Sequence, residues 1–506
     1  MKKIPYKWLA LSATSFGLLI AVMTGTALII ALPDIAEGLN SSMLIIIWVL
    51  MSYMLVTTVL VPSIGRVADI LGRKRLFVWG SIIFSVSSLF AGISQTGIEL
   101  LIARIIQSIG GSLMMANSTA IVTDAFPKKE LGMALGINGM VLSVAFAFGP
   151  ILGGFLVVTM GWRWIFFINV PFGAFTVIWS LLQIRDIAPI PKGQRFDWSG
   201  AITFTAGVFF LLLGLTEGAI GAWNSPLVIG SFIIAIILIP LFIRIESKKK
   251  QPMLDLRLFK TRVQAFAYSS NLMNGIARGA LMFLLIFFLL GIDGMTPFAA
   301  SLYLIPFAMA MMITSPISGR LSDKYGSRVL SSLGLLITAI GLLGFAIFIR
   351  VSMSLGEIIF WGSVIGFGSG MFNSPNTNTI MAMVPPERRG IAGSTRTMMN
   401  NSGSVISIAM AFVILASGLT PAAMQALFIG APIQSKDIFI GTFISDLRLA
   451  FLVSFIISMV AAGISYLRGP TPVWTSNNSN KTNNNNNVQQ IRFQQTKFKF
   501  KIIRLK

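Results

Sequence analysis

The chain of 506 residues contains no cysteine and no histidine. No disulfide can form, no Cys or His metal site can be built, and redox compartment is not legible from cysteine usage. A histidine proton relay is excluded too, so any protons moved by this chain must be carried by carboxylates. Charge is also scarce: 11% of residues are charged against 55% hydrophobic. A soluble chain of this length needs far more charge to cover its surface. No cluster of nucleophile, base and orienting group is visible, so an enzyme is not expected, nor a cofactor or a metal.

What is present is a series of long apolar runs. Bilayer hydrocarbon is about 30 Å thick, and a spanning helix needs roughly 20 mostly apolar residues. Fourteen stretches qualify: 8–30, 43–64, 76–95, 99–121, 132–158, 164–183, 199–217, 226–244, 264–290, 297–318, 329–349, 357–380, 397–417 and 447–467. The first is too long for a signal-peptide core and lacks a small-residue cleavage site, so it reads as a retained span. Backbone groups in lipid must pair internally, and long runs broken by charged loops fit helices, not a barrel. The expected class is an all-α, multi-pass membrane protein.

Orientation follows from the basic residues. With a cytoplasmic N-terminus, Lys2, Lys3, Lys7, Arg66, Arg73–Arg75, Lys128, Lys129, Arg185, Lys192, Arg195, Lys248–Lys250, Arg320, Lys324, Arg328, Arg388 and Arg389 all fall inside. Outer loops keep only Arg163, Arg350, Lys436 and Arg448. This is the positive-inside pattern, with both termini cytoplasmic and the protein expected in the cell membrane. Most of the +22 formal charge is therefore an orientation signal beside anionic lipid, and no nucleic-acid partner is implied.

The stretch "GRVADILGRKR" from Gly65 returns as "GRLSDKYGSR" from Gly319, 254 positions later. "FPKKELG" resembles "VPPERRG", with Pro127 matching Pro385 and Gly132 matching Gly390 at an offset of 258. Two landmarks at nearly one offset indicate a parallel repeat of a six-span bundle, the construction of many secondary transporters. The expected organisation is a first bundle at 1–190, two added spans and a basic linker at 191–262, a second bundle at 263–467, and a tail at 468–506. The tail holds "NNSNKTNNNNN", low-complexity and disordered by composition. Tryptophans 162, 164, 198 and 223 read as interfacial belt residues.

These residues resemble the fourteen-span drug:proton antiporters of the major facilitator superfamily, over about residues 5–467. Gly65, Asp69, Gly72, Arg73 and Lys74 match the superfamily loop motif. Arg104, Gln107 and Gly110 match the span-4 arginine motif, and "GPILGG" (Gly149, Pro150, Gly153, Gly154) matches the antiporter motif of span 5. "WRWIFFINVPFG" and "FDWSG" are typical of the fourteen-span branch. One departure stands out: "MTGTALIIALP" puts Thr24 and Ile29 at the family's span-1 aspartate and asparagine positions.

The resemblance implies two six-helix bundles that rock about a central site, acting as a monomer. Asp69 is then expected at the start of span 13 near Ser394 and Thr395, and Asp323 at the start of span 5 near Gly132. With Gly65, Gly72, Arg73, Gly319, Gly326 and Arg328 they would form a gating latch. The antiporter motif would be a hinge and seal between the halves of an exporter. Asp34 and Arg104 are candidates for proton coupling, meeting at the outer side of the cavity. Asn271, Asn274 and Arg278 form a polar stripe on span 9 at i, i+3 and i+7. With Thr24, Asn373 and Asn376 they are candidates for a substrate cavity. No Asp or Glu lies deep in an expected span, so that cavity reads as neutral to positive.

The leading expectation is a secondary transporter exporting small amphiphiles by alternating access in exchange for protons. The alternative is a proton-independent uniporter or exchanger of a specific anionic or neutral metabolite. A non-transporting receptor fits least, because it needs neither duplicated latch nor antiporter motif.

Overall fold

The computed structural model describes residues 5–127, 130–186, 197–220, 223–249, 259, 261–351, 353–384, 389–418 and 436–469. The expected Asn-rich tail lies outside them, apart from Arg468 and Gly469. The described residues form helices and their connections, with fourteen helices long and apolar enough to cross a membrane. In chain order these are α1 Tyr6–Gly38, α2 Met43–Leu71, α3 Arg73–Ile93, α4 Gly97–Ala125 and α5 Leu131–Met160. Next come α6 Trp164–Gln183, α7 Trp198–Ile220 and α8 Pro226–Lys248. The last six are α9 Arg262–Leu290, α10 Phe298–Ser322, α11 Ser327–Phe348, α12 Leu355–Ala382, α13 Arg389–Gly418 and α14 Lys436–Leu467.

At 1.5 Å per residue these lengths cross the hydrocarbon with turns to spare. Prolines 33, 62, 150, 240, 316 and 375 all sit inside helices, where neighbouring helices can satisfy the freed carbonyls. α2 ends at Gly72 with φ +98°, and the helix of α10, which continues as Ile305–Tyr325, ends at Gly326 with φ +84°. Only glycine takes that conformation freely, which explains why both copies of the charged loop keep it.

The bundles are built alike. In the first, α1 packs on α4, α5 and α6, α2 on α4, and α3 on α4 and α6. Shifted by eight helices, the same six pairings recur: α9 on α12, α13 and α14, α10 on α12, and α11 on α12 and α14. Glycine approaches recur with them. A Cβ on Gly80 would stand 2.9 Å from the Gly110 carbonyl across α3–α4, and one on Gly334 2.7 Å from the Gly368 carbonyl across α11–α12.

Two seams join the bundles, α2 on α13 and α5 on α10, again related by the eight-helix shift. α7 and α8 pack together, and α7 lies on both α2 and α13, so the added pair covers one seam. There the Trp48 indole donates to Glu217 at 2.8 Å. At the start of α7, Asp197 accepts from the Gly200 N–H at 2.9 Å, Ser199 Oγ at 2.8 Å and Lys249 Nζ at 2.5 Å. Burial pushes the Asp197 pKa up, but these bonds outweigh it and hold the carboxyl below its ordinary value.

Three expectations are corrected. α14 starts eleven residues earlier than the hydropathy run, because its first turns are amphipathic, so Asp446 lies inside a span at 8% exposure. Trp162 is no belt residue: it is buried beneath Arg163, whose guanidinium lies 4.4 Å from its ring. Arg468 belongs to the bundle, not to the tail. It is buried, donating 3.0 Å to Asn376 Oδ1 and 3.1 Å to Ser331 Oγ.

Burial lowers the Arg468 pKa to about 10, so it stays protonated at neutral pH while fastening the end of α14 to α11 and α12. Arg468→Ala leaves two buried acceptors unpaired at roughly 1–3 kcal/mol each. A clear drop in apparent melting temperature in detergent is the expected result, and an unchanged melting curve would contradict this role.

Candidate functional site

Call the end of the molecule that carries the two glycine reversals the loop end, and the opposite one the far end. At the loop end, α3 begins with Arg73, which is buried and ion-paired with Asp124 at the close of α4. The other carboxylate oxygen of Asp124 faces Arg389 Nη1 at 3.4 Å, and that guanidinium also donates to the Thr123 carbonyl at 3.2 Å. Arg389 opens α13 in the second bundle. One carboxylate therefore ties the loop motif of the first bundle to the first turn of the second. The second bundle has no charged equivalent, since Ser327 stands 254 positions after Arg73 and Ala382 stands 258 after Asp124. Ser327 instead meets the Thr379 hydroxyl at 2.5 Å.

Asp124 was not singled out in the sequence, although a lone acid ahead of "FPKKELG" was the available signal. Side-chain positions of Asp69 and Asp323 lie outside the described residues, so the expected contacts with Ser394, Thr395 and Gly132 stand as proposals. Gly65 and Gly319 are buried where α2 and α10 run into their loops. Arg328 departs from the expected latch: its Nε donates to the Tyr466 carbonyl at 2.7 Å and its guanidinium lies over the Tyr466 ring. That contact stays within the second bundle.

The antiporter motif also packs within one bundle. Added Cβ atoms on Gly149 and Gly153 would collide with Thr26 and the Ala27 carbonyl of α1. Gly403, 254 positions after Gly149, approaches α9 in the same way. Pro150 is buried in the same helix, and so is Gly154. The seam between bundles is made about three to five turns earlier on α5. There a Cβ on Gly136 would stand 2.7 Å from Pro316 Cα, and one on Gly139 2.4 Å from Ser315 Oγ.

Apolar clusters from both bundles close both ends of the seams. The loop-end cluster includes Val122, Phe126 and Leu135 of the first bundle with Tyr268, Ile380 and Ile391 of the second. The far-end cluster includes Leu32, Ile46 and Leu100 with Phe283, Phe307 and Phe412.

Arg104 is completely buried and does not pair with Asp34. Its Nε donates to the Val49 carbonyl at 3.3 Å, its Nη1 to Gln107 Oε1 at 2.5 Å, and Tyr53 lies under its plane at 4.4 Å. α2 and α4 supply all of these partners. Asp34 is half-buried in the last turn of α1, which runs past Pro33. Thr24 bonds Asn169 Oδ1 of α6 at 2.9 Å. Both line a cavity of about 130 Å³ between α1, α5 and α6, with Met23, Leu156 and Phe172. That volume is too small for a drug-sized ligand and lies inside the first bundle.

The α9 stripe is assembled as expected along one helix. Asn271 Nδ2 donates to the Arg396 carbonyl of α13 at 2.8 Å. Asn274 is fully buried, yet neither its carbonyl nor its amide has a partner. Arg278 Nε has none either, and its guanidinium lies 6.0 Å from the Phe307 ring. The regular helix stops at Arg278, turns at Gly279 and Ala280, resumes at Leu281–Phe287 and widens to a π-turn at Phe288–Ile292. Of the α12 candidates, Asn373 is half-buried. Asn376 is excluded from a cavity, since it donates to the Ala267 carbonyl and accepts from Arg468.

Two alike six-helix bundles joined along two seams, with one helix broken at a polar stripe, have the construction of secondary transporters. The Major Facilitator Superfamily profile matches residues 14–407 and, again, 267–504. The chain belongs to that superfamily. It is 31% identical to the riboflavin transporter RibZ of Clostridioides difficile over 414 residues, 82% of this chain and 89% of that protein. It is 32% identical to the multidrug resistance protein Stp of Mycobacterium tuberculosis, over 81% of this chain and 76% of that one. It is 28% identical to the tetracenomycin C resistance and export protein of Streptomyces glaucescens, with the same coverages. Among solved structures, the human organic anion transporter MFSD10 superposes with a TM-score of 0.60 over 90% of this chain and 100% of that one. Its 14% identity makes this a likeness of fold alone.

Asp124→Asn keeps the shape but removes the charge that holds Arg73 and Arg389. Flux at matched expression is expected to fall at least several-fold while insertion and folding persist. Wild-type flux in this variant would remove Asp124 from the gate.

Proposed function

We propose that this protein exports small amphiphilic compounds from a cell, with both termini on the cytoplasmic face, by alternating access in exchange for protons. The observation that carries this reading is the Arg73–Asp124–Arg389 bridge, an ionic contact that joins the two bundles at the loop end. Such a contact is the two-state element that alternating access needs, because it must break for that end to open. The basic-residue asymmetry supports placing the loop end in the cytoplasm. Family membership and the exporter relatives support outward transport.

Carboxylates have to carry any coupled protons. Asp124, Asp446 and Asp34 are three of the described acids within or at the ends of spans, where Glu217 and Glu246 also lie. Asp446 Oδ2 is buried with no partner in the second bundle. A second reading, exchange of a specific metabolite without protons, is favoured by Thr24 at the family's acid position and by the riboflavin transporter among the relatives. In either case the substrate is a small molecule, and the protein works in the bilayer as a monomer.

Expression in a host stripped of its own exporters, challenged with matched cationic, neutral and anionic toxic compounds, tests export. Resistance to at least one class is expected, and resistance to none would contradict export. Reconstituted protein with a trapped pH dye then separates the two readings. Substrate addition is expected to shift lumenal pH, and a constant pH during substrate movement would select the exchanger.

A further inference from the structure

We propose that the broken face of α9, from Asn274 to Arg278 beside Arg396 of α13, is a binding site for an amphiphilic organic anion. This deepens the export reading and rests on it, naming the substrate's charge.

Three observations meet there. The first is an unspent set of hydrogen-bonding groups. Asn274 is 0% exposed, and both ends of its amide are unpaired. A buried amide in that state is destabilising unless something fills it, so native structures rarely keep one without a use. Arg278 Nε and Arg396 Nε are likewise buried and unpaired. The connection between α13 and the stripe is direct, since Asn271 bonds the Arg396 carbonyl, Asn274 stands about one turn further along α9, and Arg278 another turn on.

The second observation is charge. No ion pair joins Arg104, Arg278 or Arg396 to a carboxylate among the described residues. Arg104 bonds Val49 and Gln107 and lies over Tyr53, with its Nη2 left unpaired, and belongs to the first bundle, whereas Arg278 and Arg396 belong to the second. Arg278 closes the helix Arg262–Arg278. The acid that would attract a lipophilic cation in relatives of this type is Thr24 here, bonded to Asn169.

The third is backbone. α1, the counterpart of α9, is one continuous helix from Tyr6 to Gly38, whereas α9 breaks directly after Arg278. Interrupted helices and π-turns at mid-membrane depth concentrate at transport sites, where irregular backbone lines a cavity. A carboxylate or sulfonate would take charge-assisted hydrogen bonds from the guanidinium groups. Asn274 would pair a neighbouring carbonyl or N–H, and Phe307 would receive the apolar body.

The test uses two xanthene dyes of one skeleton and opposite charge, fluorescein and rhodamine 123, with the full-length chain in lipid nanodiscs. Fluorescence anisotropy is expected to show fluorescein bound at least about tenfold more tightly. Arg278→Gln and Asn274→Ala should each weaken fluorescein about tenfold, as expected for losing a hydrogen bond to a charged group, and leave rhodamine unchanged. A merely structural role would weaken both dyes alike. If Arg278→Gln fails to fold, the dye ratio in Asn274→Ala decides. Equal or tighter rhodamine binding, or a dye ratio unmoved by the substitutions, overturns the anion assignment. Export fails separately, only if no compound of any charge confers resistance.

Discussion

At the α5–α10 seam, backbone meets backbone: Gly136 on Pro316 and Gly139 on Ser315. In lipid there is no hydrophobic force to hold two helices together, so contact there depends on close van der Waals packing of small residues. Such a seam seals well and parts without leaving large apolar side chains stranded. The same lack of glue means closure at the ends must come from elsewhere. At the loop end it comes from Val122, Phe126 and Leu135 against Tyr268 and Ile391, and from Asp124 reaching across to Arg389. At the far end the large apolar cluster joins residues of both bundles.

A duplicated architecture has been put to unlike uses in its two bundles. The first keeps the charged start of α3, the acid at the end of α4, and a continuous α1. The second has Ser327 and Ala382 at those places and interrupts α9 instead. The charged contact therefore involves two groups of the first bundle, while the helix break falls in the second. Pseudo-symmetry supplies the frame, and the departures from it mark the places where function has been added. α7 adds another asymmetry, because it braces the α2–α13 seam through Trp48 and Glu217 and has no partner element on α5–α10 among the described pairs.

Helices and repeats were legible in the sequence because each rests on local signals: apolar length, basic loops, and the glycine that takes φ near +90° at both reversals. The α9 stripe was legible for the same reason, since i, i+3, i+7 spacing fixes a face. Contacts between distant segments were not. Arg104 and Asp34 share a span pair but not a partner, because Val49 and Tyr53 of α2 come between them in chemistry. Asn376 looked like a cavity residue until Arg468, at the end of a span 92 residues away, was found bonded to it. The antiporter glycines announce close packing, yet nothing local says whether the neighbour is α1 or the other bundle. Asp446 was hidden by the amphipathic start of α14, which breaks the hydropathy run.

The central claim is that the two bundles open at one end as they close at the other, with the Asp124 bridge setting the balance. The chain has no native cysteine, so spin labels can be placed without background. Leu71 and Tyr325 are exposed at the loop end of opposite bundles, and Ile93 and Ile347 are exposed toward the far end. Pulsed electron spin distances for each pair, in the otherwise unchanged chain and with Asp124→Asn, give the most direct measurement. The account predicts that the substitution lengthens the 71–325 distances and shortens the 93–347 distances. Distances that stay fixed, or that lengthen together at both ends, would contradict it.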